Sequence, residues 1–103
     1  MEINLLYFDD CPSWKVALAN LETALAAEDL KAEIRLVEVR DNEGANRLKF
    51  LGSPSFCLEG QDWWPEERDI YNLSCRVYST PQGMKGAPTV EMLREKLRSL
   101  ISE

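Results

Sequence analysis

Histidine is absent from this chain. Imidazole is the commonest general base near neutral pH and the commonest metal ligand, so chemistry that needs either is excluded. Long apolar runs are missing too. No stretch is apolar for long enough to cross a bilayer as a helix. No basic-then-apolar leader opens the sequence, so no signal peptide and no membrane partner are expected, and the cytoplasm is the expected location. Positive charge is in deficit. Twelve Lys and Arg stand against 18 Asp and Glu, a net charge of −6. Phosphate backbones need a basic stripe and none is visible, so nucleic acid is not an expected partner. Cysteine is scarce and odd in number: Cys11, Cys57 and Cys75. Three cysteines do not make a secreted disulfide framework. In a reducing compartment they are free, catalytic or metal-binding.

What is present is an ordinary globular composition, 45% hydrophobic and 29% charged, which places the chain among folded rather than disordered proteins. A length of 103 residues predicts a single domain over residues 1–103, burying roughly 60–70% of its unfolded surface around one core.

Ile3, Leu5 and Tyr7 point one way in an extended reading and Leu6 and Phe8 the other. Apolar residues on both faces predict a buried central strand. Asp9-Asp10 ends it. Pro12 suits the first position of a helix, where its missing N–H costs nothing. Trp14, Leu18, Leu21 and Leu25 then recur at helical spacing to about Glu28. Ala32 to Val39 is again apolar on both faces and reads as a second buried strand. Strand, helix and strand with this crossover form a right-handed βαβ unit with parallel strands. Asp41 caps a short second helix carrying Ala45, Leu48 and Leu51 inward. Gly52-Ser53-Pro54 breaks it.

Ser55 to Glu59 reads as a third strand, with Phe56 and Leu58 on one face and Cys57 on the other. Gly60 to Ser74, "GQDWWPEERDIYNLS", reads as a long loop with room for one helical turn. Cys75 to Tyr78 reads as a short fourth strand near an edge, and "STPQGMKGAP" is turn chemistry. Pro88 starts the last helix, with Val90, Leu93, Leu97, Leu100 and Ile101 on one face. The order β-α-β-α-β-β-α predicts an α/β fold: a small mixed sheet with helices on both faces. The competing order, β-α-β-β-α-β of ferredoxin-like heavy-metal carriers, needs a hairpin over Asp41 to Leu51, where no strand alternation exists.

Three features together resemble the thioredoxin superfamily. One is a cysteine between an apolar strand and a Pro-started helix, "YFDDCPSW". Another is "FLGSPSF", a glycine and proline just before the third strand. The last is the element order. Within the superfamily the chain is similar to short bacterial thioredoxin-like proteins sometimes labelled alkylmercury lyase-like. Those also carry "CRxY" and "GxP", here in "SCRVYSTPQGMKGAPTVEML". The resemblance spans essentially the whole chain and implies a thioredoxin-like three-layer sandwich. It also implies a cis Ser53–Pro54 bond facing Cys11, with the Ser53 N–H and C=O exposed to pair with an extended peptide or a thiol ligand. The departure is Trp14, which stands where a dithiol thioredoxin has its second cysteine.

Cys11 is the leading candidate nucleophile. A helix N-terminus stabilises thiolate, and Asp9 and Asp10 oppose it. Cys75 is preferred over Cys57 as its partner because it stands in "CRxY". Cys57, between Phe56 and Leu58, reads as a core thiol.

Two classes of function stay open. In one, Cys11 attacks a disulfide or accepts glutathione, and Cys75 or an external thiol releases the mixed disulfide, with a protein or a low-molecular-weight thiol or disulfide as partner and no cofactor. In the other, the fold is a binding module. Cys11 and Cys75 hold a soft ion such as mercury or copper(I), or Trp63 and Trp64 dock a protein. A lyase reading would add Asp9 or Asp10 as proton donor. Pro12, Trp14, Ser53, Pro54, Trp63 and Trp64 are the candidate contact residues. Each also has a plain structural reading, from capping and turn duties to covering an open sheet edge.

Overall fold

The computed structural model describes residues 1–101, with side chains through Leu100. The expected inward place of the Ile101 side chain lies outside the described residues. Its elements are β1 (Glu2–Tyr7), α1 (Ser13–Ala27), β2 (Glu33–Glu38), α2 (Asn42–Leu48), β3 (Ser55–Leu58), β4 (Gln61–Asp62), β5 (Tyr78–Thr80), β6 (Gly83–Lys85) and α3 (Val90–Ile101). β1 to β4 form one mixed sheet in the order β2-β1-β3-β4. β1 runs parallel to β2, with Ile3 opposite Ile34, and antiparallel to β3, with Leu5 opposite Phe56. The chain is thus a mixed α/β protein with three helices and a four-stranded sheet.

The double-sided apolar pattern of β1 does what it predicts. Ile3 and Leu5 enter a core with Ala17, Leu21, Ala24 and Leu25 of α1, Phe56 of β3, and Leu93 and Leu97 of α3. Leu6 enters a smaller core on the other face with Val39, Ala45 and Phe50. So α1 and α3 cover one face and α2 the other. α1 and α3 are tied at two places: the Asn20 side-chain amide donates to the Pro88 carbonyl, and Arg94 and Arg98 both reach Glu28. The hydrogen bond from Arg94, with that from Arg98, holds the Glu28 carboxyl below its ordinary range.

Four expectations are corrected. β2 is an exposed edge strand, not a buried one, because β3 takes the other side of β1, and Leu36 is 43% exposed. Leu48 does not point inward. Lys49 adopts a left-handed conformation that ends α2, and the reversal drives Phe50 and Leu51 into the interior in its place. The loop after β3 holds no helical turn; it opens with β4, a two-residue return strand pairing Cys57 with Asp62. Cys75 to Tyr78 is not a strand of the main sheet. Cys75 makes an isolated parallel bridge to Ser53, and Tyr78 begins a separate hairpin, β5–β6, whose turn uses Gly83 at φ 103°.

The exchange of Leu48 for Phe50 has a direct test. Phe50→Ala should lower the unfolding free energy by about 3–5 kcal/mol and Leu48→Ala by less than about 0.5 kcal/mol, as read from urea denaturation. Equal losses would restore the helical reading of the inward face.

Candidate functional site

β1 delivers the chain to a turn in which the Cys11 N–H donates to the Phe8 carbonyl at 2.9 Å. Pro12 follows as the N-cap residue of α1, one position earlier than its expected place inside the helix. This fixes Cys11 at the C-terminal end of β1 and the start of α1, with only 3% of its surface exposed. β3 is entered through a cis Ser53–Pro54 bond. Ser53 is fully buried, and its carbonyl oxygen lies 3.7 Å from Cys11 Sγ.

Cys75 arrives from the far side of the long loop. Its sulfur meets that of Cys11 at disulfide distance, with the Cα atoms 6.0 Å apart across a separation of 64 residues. That spacing fits the range a disulfide requires. Trp14 is therefore no obstacle to a paired thiol, since the second cysteine comes from another part of the fold. Residue Cys75 is exposed, in contrast to Cys11.

The backbone of Ser53 is not free, contrary to the expectation of an open peptide slot. Its N–H donates to the Ser74 carbonyl and its carbonyl accepts from the Arg76 N–H, both at 2.8 Å. The segment Ser74–Arg76 lies along Ser53 as a parallel strand would.

Arg76 holds the segment there. Its side chain is buried, with its guanidinium 3.0 Å from the Asp62 carboxylate and 3.0 Å from the Ser55 hydroxyl, and it also donates to the Trp64 carbonyl. Ser55 passes its own hydrogen to the Gly52 carbonyl. Gly52 is required here: its φ is +120°, and a Cβ on it would stand 2.9 Å from Arg76 Cβ. Two residues on from Arg76, the Tyr78 hydroxyl donates to the Pro54 carbonyl. Burial pushes that phenol above its ordinary range, which keeps it a donor. The named residues of "CRxY" thus divide the work among them. Cys75 meets Cys11, Arg76 anchors the segment, and Tyr78 closes on Pro54.

The other candidates lie around this centre. Pro12 is exposed. Trp14 is half-buried and stacks on Tyr7, with ring centroids 4.2 Å apart. Trp63 is buried and stacks on Phe56. Trp64 is half-buried against Tyr78, with Lys96 Nζ 5.2 Å from its ring. Asp9 and Asp10 are exposed. Cys57 is a free thiol on the α2 side of the sheet. Burial first, then the charge of Asp62, pushes it up to about 12. Cys11 and Cys75 are the soft donors that the fold brings together. Among the described residues no group of three or more Cys, Asp or Glu side chains converges on a point that could hold a metal ion.

Arg76, Asp62, Tyr78 and Gly52 were missed as site residues by sequence reasoning. The available signal was "CRxY" itself, in which an arginine and a tyrosine flank an otherwise apolar step. No family model, no curated protein and no solved structure matches this chain.

Removing one partner of a buried ion pair strands the other charge. Asp62→Ala should cost about 3–5 kcal/mol of stability in chemical denaturation, whereas Glu66→Ala, whose carboxylate is 46% exposed and 3.9 Å from Arg76, should cost less than about 1 kcal/mol. Cys57 gives a second test. Its raised value leaves it protonated at neutral pH, so alkylation should be very slow at pH 7 and rise about tenfold per pH unit toward pH 10. A pH-independent rate, followed by mass spectrometry, would contradict that assignment.

Proposed function

We propose that this protein is a thioredoxin-like thiol–disulfide exchange protein in which Cys11 and Cys75 cycle between dithiol and disulfide. The observation that carries the reading is the meeting of these two cysteines beside the Ser53 carbonyl. Two sulfurs brought to bonding distance from positions 64 residues apart make a two-electron couple that needs no further cofactor. The layered arrangement supports the fold assignment: a mixed sheet with α1 and α3 on one face and α2 on the other, and the cysteine at the junction of the first strand and first helix. The site also supplies what exchange requires of its surroundings. The start of α1 favours a thiolate at Cys11, and Cys75 opens to solvent.

The experiment is a redox titration of the purified protein in thiol/disulfide buffers, with free thiols blocked and the cysteines mapped by mass spectrometry. One reversible transition joining Cys11 to Cys75 within a monomer is expected, with Cys57 unpaired throughout. The loop-entropy account of a link this long predicts that reduction also lowers the unfolding free energy by about 4 kcal/mol. Three thiols that stay free at every buffer ratio would refute the redox reading and turn attention to binding by the same two sulfurs.

A further inference from the structure

The two cysteine residues of the pair are not equivalently placed. Cys11 has 3% of its surface exposed, closed over by the chain around it, whereas Cys75 is an exposed residue. Thiol–disulfide exchange requires the incoming thiolate to reach the sulfur it attacks. The backbone beside them is equally one-sided. Both hydrogen-bonding groups of Ser53, which an extended peptide would need for strand-like docking, are held by Ser74 and Arg76. The occupying segment is not held by the disulfide alone. Arg76 is fixed by Asp62, Ser55 and Trp64, and Tyr78 by Pro54. None of those contacts involves a sulfur, so none of them is lost with the disulfide itself.

Resting on the redox reading above, we infer that Cys75, and not the helix-start Cys11, is the sulfur that meets the substrate, and that the substrate is a low-molecular-weight thiol or disulfide rather than an extended peptide. In the reductive direction a small thiolate attacks Cys75 Sγ. The new bond joins the small thiol to Cys75, the Cys11–Cys75 bond breaks, and its electron pair leaves on Cys11 Sγ. That thiolate forms at the start of α1. Once protonated, its S–H has the Ser53 carbonyl, 3.7 Å away, as acceptor. A second small thiolate attacks the small-thiol sulfur of the mixed disulfide and releases Cys75 as thiolate. Two small thiols become one small disulfide, and their two protons end on Cys11 and Cys75. In the oxidative direction Cys75 attacks a small disulfide and Cys11 displaces the small thiol from it. Cys11 thus resolves rather than initiates. The segment Ser74–Arg76 acts as a built-in strand that keeps the peptide slot filled.

The test follows the adduct. The oxidised full-length protein is mixed with reduced glutathione, quenched in acid within the first turnover, and mapped. The adduct is expected on Cys75 over Cys11 by at least about ten to one. In matched single variants, Cys11→Ser should take up glutathione from its disulfide at least about tenfold faster than Cys75→Ser. A short cysteine-bearing peptide with a matched thiol pKa should reduce the disulfide no faster than glutathione. An adduct predominantly on Cys11 overturns the assignment of the attacked sulfur but leaves the redox function standing. A peptide faster by more than about tenfold overturns the substrate class. A disulfide that neither thiol reduces at any ratio overturns both this inference and the function it rests on. The mapping uses the unmodified chain, so a variant that fails to fold does not decide the matter.

Discussion

Arg76 carries a permanent charge into the interior, and much of the architecture exists to keep it there. A cation taken out of water costs several kcal/mol unless its partners are fixed in place. Here they are an Asp62 carboxylate, the Ser55 hydroxyl and the Trp64 carbonyl. Meeting that demand explains features that look unrelated in the sequence. β4 is only two residues long, but it is what presents Asp62. Gly52 must lack a side chain so that the Arg76 backbone can pass. The tryptophan pair seals the same region, with Trp63 on Phe56 and Trp64 on Tyr78. The position of Cys75 follows from all this, since it is the residue immediately before the anchor.

The framework was legible where local pattern and tertiary role agree. β1 reads as central because both its faces are apolar, and both are used. α1 and α3 show helical spacing; Leu21, Leu25, Leu93 and Leu97 are buried, and Leu18 and Leu100 partly so. The cysteine at the strand–helix junction, the cis bond at Ser53–Pro54 and the choice of Cys75 over Cys57 were legible as well, the latter two through family resemblance rather than through spacing. What stayed hidden depends on long-range pairing. Whether β2 lies inside or at the edge is decided by which side of β1 receives β3, and no property of residues 33–38 encodes that. Leu48 satisfies the helical pattern, yet the left-handed Lys49 gives its place to Phe50. Asp62 reads as one acid among many in an acidic loop. Only the arrival of Arg76 from fourteen residues further on makes it the counter-charge of a buried cation.

The sheet divides the molecule into two environments of different size. On the α1–α3 side the core is large and continuous, and Cys11 stands at its margin, at the head of a fifteen-residue helix. On the α2 side a short helix and a smaller apolar cluster cover the sheet. The open edge at β2 carries Glu33, Arg35 and Glu38. Charged side chains along an unpaired strand discourage another chain from adding to it.

On the redox reading proposed above, an odd number of cysteines is a hazard, because each opening of the bond exposes it to mispairing with the spare thiol. The placement of Cys57 removes that hazard. β3 turns it toward α2, away from the face that carries α1 and, at its start, Cys11. Burial in the surrounding apolar packing, and then the charge of Asp62, keep it protonated and therefore a poor nucleophile. The strand that positions Ser53 beside the working pair is the same strand that faces the spare thiol the other way. The fidelity of the pairing is thus written into the two-residue period of a β-strand.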